Sequence, residues 1–368
     1  MISIVIPTFN EAAVIEETLR RAAAALCHAS EDFELLVVDD ASPDGTGERV
    51  EALAGELPVR VLRRPGRLGL ATAVLDGWAA ARGDVLGAMD ADLQHPPETL
   101  TALAQAIRPE GVDLAIGSRY VPGGGTSDWT WWRRFISRTA THMAATVLPL
   151  KLATVGDPMS GIFLVRASAL REAKLNPLGY KILLEVIAKA DYRKLVEVAY
   201  VFQERDRGAS KLGARQYLEY LLHLAKLAAG TGQLVGWLGY GLVGLVGAMI
   251  DVALFCFFAQ HWRWRPVAAL AVAILAALSS NFAGNEAFTF HARGTAAARK
   301  GAGRRLLRYV SVCIPGALLN MAVTLLLVWR GTGLLTAATL GVVSGGLYNF
   351  LFNIPAIWKT WRGPKDAR

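Results

Sequence analysis

Four long apolar stretches crowd the last third of the chain, and nothing else in the sequence limits the fold as much. They are Leu234–Ala259, Pro266–Phe290, Tyr309–Trp329 and Gly331–Trp358. Each has the length to cross a hydrocarbon core of ~30 Å at ~1.5 Å per helical residue. The first contains one charge, Asp251, the second contains Glu286, and the last two contain none. One such run can be the buried helix of a soluble domain. Four in succession read as an all-α bundle of transmembrane helices.

Charge divides the 368 residues at the same place. Residues 233–368 carry 13 Lys and Arg against three acids, whereas residues 1–232 carry 26 against 28. The basic excess is concentrated between the spans: Arg293, Arg299, Lys300, Arg304, Arg305 and Arg308 lie in one connection, and Lys359, Arg362, Lys365 and Arg368 in the tail. Basic loops stay on the cytoplasmic side. Ile2–Pro7 is too short and too soon interrupted to be a secretory leader, so the N-terminal part is expected on that side too. Nucleic acid is not an expected partner, because the excess charge flanks membrane spans. Cys27, Cys256 and Cys313 have no pairing pattern, and no disulfide is expected.

The apolar part repeats. Gly247-Ala248-Met249-Ile250-Asp251 resembles Gly316-Ala317-Leu318-Leu319-Asn320, and Asn281-Phe282-Ala283-Gly284-Asn285 resembles Asn349-Phe350-Leu351-Phe352-Asn353. Nearly equal offsets indicate two copies of a helical hairpin in the same orientation. Asn pairs four residues apart lie on one helical face and suit bonds between helices. Asp251 is expected to face the bundle interior, where a carboxylate can find a polar partner.

The N-terminal part alternates β-rich runs (Ile2–Pro7, Phe33–Asp39, Val59–Arg63, Asp84–Met89, Asp113–Gly117) with helical patterns (Ala12–Leu26, Thr46–Leu53, Leu70–Ala81, Pro97–Ala106). That order predicts an α/β, Rossmann-like domain with a mostly parallel sheet, whose ligands gather at the C-terminal ends of the strands. Polar signals stand at those ends: Thr8-Phe9-Asn10-Glu11, Asp39-Asp40, Asp90-Ala91-Asp92 and Ser118-Arg119. Two carboxylates flanking one residue at a strand end can share a hard divalent cation with a phosphate. Further on, Trp129–Leu148 mixes tryptophans with arginines, and Arg215–Leu227 is amphipathic. Both patterns suit helices lying in a lipid headgroup region. Three parts are expected: 1–212, a linking interfacial helix over 213–232, and a membrane part over 233–368.

Pro7-Thr8-Phe9-Asn10-Glu11, Val37-Val38-Asp39-Asp40-Ala41-Ser42-Pro43-Asp44-Gly45-Thr46, Gly69-Leu70-Ala71-Thr72-Ala73, Asp90-Ala91-Asp92-Leu93-Gln94-His95-Pro96, Gly117-Ser118-Arg119-Tyr120 and Asp157-Pro158-Met159-Ser160-Gly161, in this order, resemble glycosyltransferase family 2. More narrowly, residues 1–212 are similar to the polyprenol (dolichol) monophosphate mannose synthases and their glucosyl relatives. Residues 235–360 resemble a GtrA-like membrane domain. The resemblance implies a GT-A fold and transfer of one sugar from a nucleotide sugar to a polyprenyl phosphate at the inner face of a cell membrane. GDP-mannose is the first donor it implies and UDP-glucose the second. It implies a nucleotide-sugar pocket of Pro7, Phe9, Glu11, Val37, Asp39, Asp90, Ala91, Asp92, Gln94 and Arg119, closed by Arg207 and Lys211. Mg2+ or Mn2+ on Asp90, Asp92 and Gln94 is implied with it, as is a lipid-phosphate site of Arg119, Arg133 and Ser137. Asp92, Arg119 and Arg133 would carry the catalysis. Met159 and Phe9 stand where relatives often have Thr and Tyr.

An already anionic acceptor needs no general base, so a single inverting displacement is expected, driven by positioning and electrostatics. Gln260-His261-Trp262-Arg263-Trp264 fits a signature of processive synthases, but it falls in the loop predicted on the opposite side of the membrane. A flippase or scaffold that merely binds nucleotide sugar is the rival from another class.

Overall fold

The computed structural model describes residues 1–127, 129–148, 152, 155–203, 214–230, 234–289 and 302–352. The chain forms two compact units, Met1–Ala144 with Leu150–Leu227, and Ala145–Pro149 with Ala228–Arg368.

In the first unit the expected elements form close to their predicted bounds: β1 Ile2–Thr8, α1 Ile15–His28, β2 Phe33–Asp39, α2 Thr46–Ala52, β3 Val59–Arg63, α3 Leu70–Ala80, β4 Val85–Met89, α4 Thr99–Ile107 and β5 Val112–Ser118. The remaining elements are β6 Gly125–Thr126, α5 Trp131–Val147, β7 Ile162–Arg166, α6 Ala167–Leu170, α7 Ile182–Lys189, β8 Lys194–Ala199, β9 Val201–Phe202 and α8 Ala214–Gly230. Seven strands pair in the order β3-β2-β1-β4-β7-β5-β8, with β6 and β9 forming a separate ribbon. Residues of β1, β4 and β5 are buried throughout, as strands covered on both faces must be. Ile4, Ile6, Leu35 and Val37 meet Ile15, Leu19 and Leu26 of α1 in the core.

Strand order runs outward on either side of the β1–β4 pair, and a crevice opens at such a switch point. β7 is the one antiparallel strand of the large sheet, pairing with both β4 and β5. Sequence patterning missed it. Its direction matters, because an antiparallel strand begins where its parallel neighbours end: Ile162, its first residue, sits opposite Met89, the last of β4. The segment Asp157–Gly161 is thereby delivered to the carboxyl edge of the sheet.

α8 packs on this unit. Tyr220 donates its hydroxyl to the Ala140 carbonyl at 2.7 Å, and Lys226 Nζ donates to the Asn176 carbonyl at 2.8 Å. His223 Nε2 lies 3.0 Å from Glu185 Oε2, and both residues are buried. Glu185 also accepts hydrogen bonds from Asn176 N–H and Lys189 Nζ. Burial pushes its carboxyl up, but the bonds from His223, Lys189 and Asn176 outweigh that and hold it down at about 2.

The second unit contains α9 Leu234–Gln260, α10 Pro266–Gly284, α11 Ala302–Trp329 and α12 Leu334–Phe352, with a π-helical turn Asn285–Thr289 prolonging α10. Three stretches, Leu238–Gln260, Pro266–Ala287 and Tyr309–Trp329, are long and apolar enough to cross a membrane among the described residues. The fourth expected span runs past residue 352, outside them. α9 packs on α10, and α11 on α12. At equivalent points of the two hairpins a glycine lets an asparagine press against its helix, Gly247 against Asn281 and Gly316 against Asn349. A methyl at either glycine would overlap the amide. The repeat seen in the sequence is thus a repeat of contacts. Asp251, as expected, is buried, and Asn320 Nδ2 donates to its Oδ2 at 2.7 Å. All three cysteines are free.

Candidate active site

Three loops at the carboxyl ends of β1, β2 and β4 each hold one non-glycine residue in the left-handed region: Asn10 (φ 60°), Ala41 (φ 55°) and Leu93 (φ 59°). That conformation is costly for Ala and Leu, and such strain collects at functional sites.

After β2 two neighbouring carboxylates divide their work. Asp40 is buried in structural bonds, accepting from Arg64 Nη1 at 2.7 Å and from the Leu68 and Gly69 N–H groups at 3.1 and 3.0 Å. It thereby ties the Gly69 turn and the start of α3 to β2. Asp39 accepts from Thr8 Oγ1 at 3.2 Å, from Ser42 N–H at 3.1 Å and from the Ser42 hydroxyl. Its carboxylate is therefore fixed at the carboxyl end of β2, beside the end of β1. Pro7 and Val37 lie buried in the strands behind it, and the Arg67 guanidinium covers the Phe9 ring at 4.5 Å. Glu11 is tied through its N–H to Thr46 Oγ1 at 3.1 Å.

At the end of β4, Ala91 is buried and its carbonyl accepts from Thr18 Oγ1 at 2.9 Å. This pins the backbone between Asp90 and Asp92. Asp92 Oδ1 accepts the Gln94 N–H at 3.2 Å, and Gln94 Nε2 points to the Gln203 carbonyl at 3.4 Å. Among the described residues the amide spends its nitrogen on the protein and leaves its oxygen unengaged. Two carboxylates and an amide oxygen form a hard, oxygen-only donor set of the kind Mg2+ or Mn2+ takes together with phosphate oxygens. No cluster of three or more His, Cys, Asp or Glu able to hold a metal occurs among the described residues.

His95 is buried beside this loop, tilted against Tyr200 and edge-to-face with Phe202 at centroid distances of 5.3 and 5.1 Å, and its Nε2 is 3.4 Å from Asp90 Oδ2. Gly161 lies against the same pair, so close that a Cβ there would overlap the Asp90 carboxylate and reach within 2.7 Å of His95 Nε2.

The other end of the Asp157–Gly161 segment holds Arg119. Its Nε and Nη2 donate to Asp157 Oδ2 and Oδ1, each at 2.7 Å, and its backbone N–H adds a third bond at 3.0 Å. Both side chains are buried. Burial pushes the Asp157 carboxyl up, but the Arg119 fork and charge hold it below the usual range. Arg119 is in turn held above its own despite burial. Trp129 gathers two guanidinium groups, with Arg119 5.4 Å and Arg133 4.5 Å from its ring. Tyr120 OH and Ser137 Oγ lie 2.8 Å apart. The three residues expected to hold a lipid phosphate, Arg119, Arg133 and Ser137, thus converge on Trp129 and Tyr120. A planar guanidinium pair suits phosphate oxygens. Arg207 and Lys211 fall outside the described residues.

Sequence reasoning missed one cation. Lys181 stands just before α7 and donates from Nζ to the Met159 carbonyl at 2.8 Å. Burial brings its ammonium down to about 8, the Arg119 charge acts in the same direction, and Asp90, Asp157 and Asp92 oppose it. Only the long-range fold brings Lys181 to this loop, so no local pattern marked it.

Residues 3–173 match the glycosyl transferase family 2 model, and residues 239–358 match the GtrA/DPMS transmembrane domain. A dolichol-phosphate mannosyltransferase of Pyrococcus furiosus is 37% identical over 360 residues, covering 98% of this chain and 99% of that protein. The dolichol-phosphate mannosyltransferase of Saccharomyces cerevisiae is 39% identical over 61% of this chain and 86% of its own length. The polyprenol monophosphomannose synthase of Mycolicibacterium smegmatis is 36% identical over 61% and 85%. Carboxylates at the end of β4, arginines gathered on Trp129, two repeated apolar hairpins and a relative matched from end to end converge on one assignment. The chain belongs to glycosyltransferase family 2, and within it to the membrane-bound dolichol- and polyprenol-phosphate mannosyltransferases that carry a GtrA/DPMS transmembrane domain.

Proposed function

We propose that this glycosyltransferase transfers mannose from GDP-mannose to a polyprenyl phosphate in one inverting step, giving a β-linked lipid phosphate sugar. One observation carries the reading: the Asp157–Gly161 segment touches the Asp90 carboxylate at one end and grips Arg119 at the other. On this reading an oxygen-rich metal and diphosphate site and a cationic phosphate site stand at the two ends of one five-residue segment. The relatives named as mannosyltransferases favour mannose as the sugar.

On this reading Asp39 and the Phe9 loop receive the nucleoside, with Pro7, Glu11 and Val37 shaping the floor. Asp90, Asp92 and Gln94 hold Mg2+ or Mn2+ on the diphosphate, with Ala91 fixing their spacing and Arg207 and Lys211 closing over it. The cation supplies Lewis-acid stabilisation of the leaving diphosphate. Arg119, Arg133 and Ser137 hold the lipid phosphate so that an oxygen faces the anomeric carbon. Two anionic reactants must be brought within bonding distance, and most of the rate comes from holding them there.

Residues 1–212 serve as the catalytic domain on the cytoplasmic side, and 233–368 as the membrane domain. The 213–232 segment lies at the lipid surface. Leu218, Leu221 and Leu222 form an exposed apolar stripe on α8, and Trp131 and Phe135 another on α5, as interfacial helices require.

Purified protein with Mn2+, polyprenyl phosphate and labelled GDP-mannose or UDP-glucose tests this. Organic-soluble label from GDP-mannose alone, lost in Asp92→Ala, is the expected result. Label from UDP-glucose alone would make it a glucosyltransferase. Binding of either donor without transfer would favour a lipid-sugar flippase or scaffold, and an α-linked product would overturn inversion.

A further inference from the structure

Lys181 has no role in the reading above, yet among the described residues it is the one further cation bonded to the segment that joins the two phosphate sites. Its Nζ donates to the carbonyl of Met159, midway between Asp157, which holds Arg119, and Gly161, which abuts Asp90. The anchor is stiff. Lys181 immediately precedes α7, whose Glu185 is locked by His223, Lys189 and the Asn176 N–H, and residues Ile182–Ala188 are all buried. An ammonium carries three donors. One is spent on Met159, the Tyr180 ring centre lies 4.8 Å from Nζ, and among the described residues no second hydrogen-bond acceptor engages it. The residue as a whole is half-buried, with the ammonium at its enclosed end.

The space those donors border follows from the reaction proposed above, on which this inference rests. In-line transfer puts the donor diphosphate at the Asp90 and Asp92 end, the acceptor phosphate at the Arg119 and Arg133 end, and the migrating sugar between them. The charges of both phosphates already have partners at those two ends. What remains beside the midpoint of the segment is a neutral ring bearing hydroxyl groups.

We propose that Lys181 is a donor-sugar binding residue, its ammonium donating hydrogen bonds to hydroxyl oxygens of the hexose being transferred. Bonds from a charged donor to a neutral hydroxyl are strong enough to select among sugars that differ in the orientation of one group.

Calorimetric titration of the full-length protein in detergent with Mn2+ tests this, using GDP and GDP-mannose as separate ligands on wild type, Lys181→Met and Lys181→Arg. Lys181→Met is expected to bind GDP as wild type does, which also reports an intact fold. It should bind GDP-mannose about ten-fold or more weakly, from loss of charge-assisted bonds, and Lys181→Arg should recover part of the difference. Equal weakening toward both ligands would place Lys181 on the diphosphate and overturn the inference, as would no weakening toward either. Wild-type protein that fails to bind GDP-mannose at all would overturn the mannosyl-transfer reading and this inference together. Wild-type binding matched by an unaltered Lys181→Met would overturn the inference alone.

Discussion

Asn320 donates its amide N–H to Asp251 across 2.7 Å, and these two residues occupy the same place in the two copies of the helical hairpin. A residue can touch its own repeat counterpart only if the axis relating the copies passes between them. Within the second unit the hydrogen bond therefore marks a pseudo-two-fold axis, across which α9 packs on α12 as α11 does on α10. Thr324 Oγ1 extends the polar line by donating to Asn320 Oδ1 at 3.1 Å. The sequences differ on the axis by one atom's chemistry, a carboxyl in one copy and an amide in the other.

That difference predicts unequal effects. Asn320→Leu leaves the Asp251 carboxyl buried without its donor, a loss of about 1–3 kcal/mol. Asp251→Asn keeps an acceptor oxygen facing the Asn320 amide and should cost less than about 1 kcal/mol. Thermal unfolding in detergent should thus fall by several degrees for Asn320→Leu and little for Asp251→Asn. The reverse order would mean that the carboxyl itself, and not the pairing, holds the hairpins together.

Arg119 and Asp157 predict a second asymmetry. Lysine at 119 keeps the charge but cannot form the two parallel bonds of the guanidinium, and Asp157→Ala strands a buried cation. Breaking a buried pair from one side costs about 3–5 kcal/mol. Asp157→Ala should therefore unfold the catalytic unit at lower temperature. Arg119→Lys should keep more of the fold but lose about a hundred-fold or more in kcat/KM for the lipid phosphate at saturating donor. Turnover within a few-fold of wild type would remove Arg119 from the acceptor site.

These residues also show what the sequence could disclose. Strands β1 to β5 and helices α1 to α4 were legible because each couples a short apolar period to turn chemistry, as in Phe33–Asp39 followed by Ala41-Ser42-Pro43-Asp44-Gly45. Repeat matching likewise singled out the segments of Gly247, Asn281, Gly316 and Asn349, though not which glycine faces which asparagine. Strand β7 was not legible, because four apolar residues and an arginine carry no sign of direction or partner. With it went the role of Asp157 and the presence of Lys181, whose partners are far away in the chain. The arginines that meet on Trp129 came from resemblance, since a lone basic residue on a helix is ordinarily a solvated charge.

Gly161 offers a third prediction. An alanine methyl there would overlap the Asp90 carboxylate, which is partly exposed and can be pushed aside, and crowd His95, which is buried against Tyr200 and Phe202. Displacing one carboxylate of a shared cation site weakens the metal before it disturbs the sheet. Gly161→Ala is expected to raise the Mn2+ concentration for half-maximal transfer by about ten-fold or more, with the melting temperature nearly unchanged. Unchanged metal dependence would take Asp90 out of the cation site.

Glu185 predicts how acid acts on the catalytic unit. Its carboxyl is held at about 2 in the folded protein, against an ordinary value of 4.5. A depressed carboxyl stabilises the fold fully above about pH 5, and the contribution is lost as pH falls from there toward 2. The shift corresponds to something on the order of 3 kcal/mol, an appreciable part of the stability of a single domain. Glu185→Gln cannot titrate and should remove that component. Denaturant unfolding followed by tryptophan fluorescence should give wild type a steeper loss of stability between pH 5 and 3 than the variant, with the variant already less stable at pH 7. Parallel curves would show that Glu185 has the same affinity for protons folded and unfolded, and that the contacts from His223, Lys189 and Asn176 do not stabilise its charge.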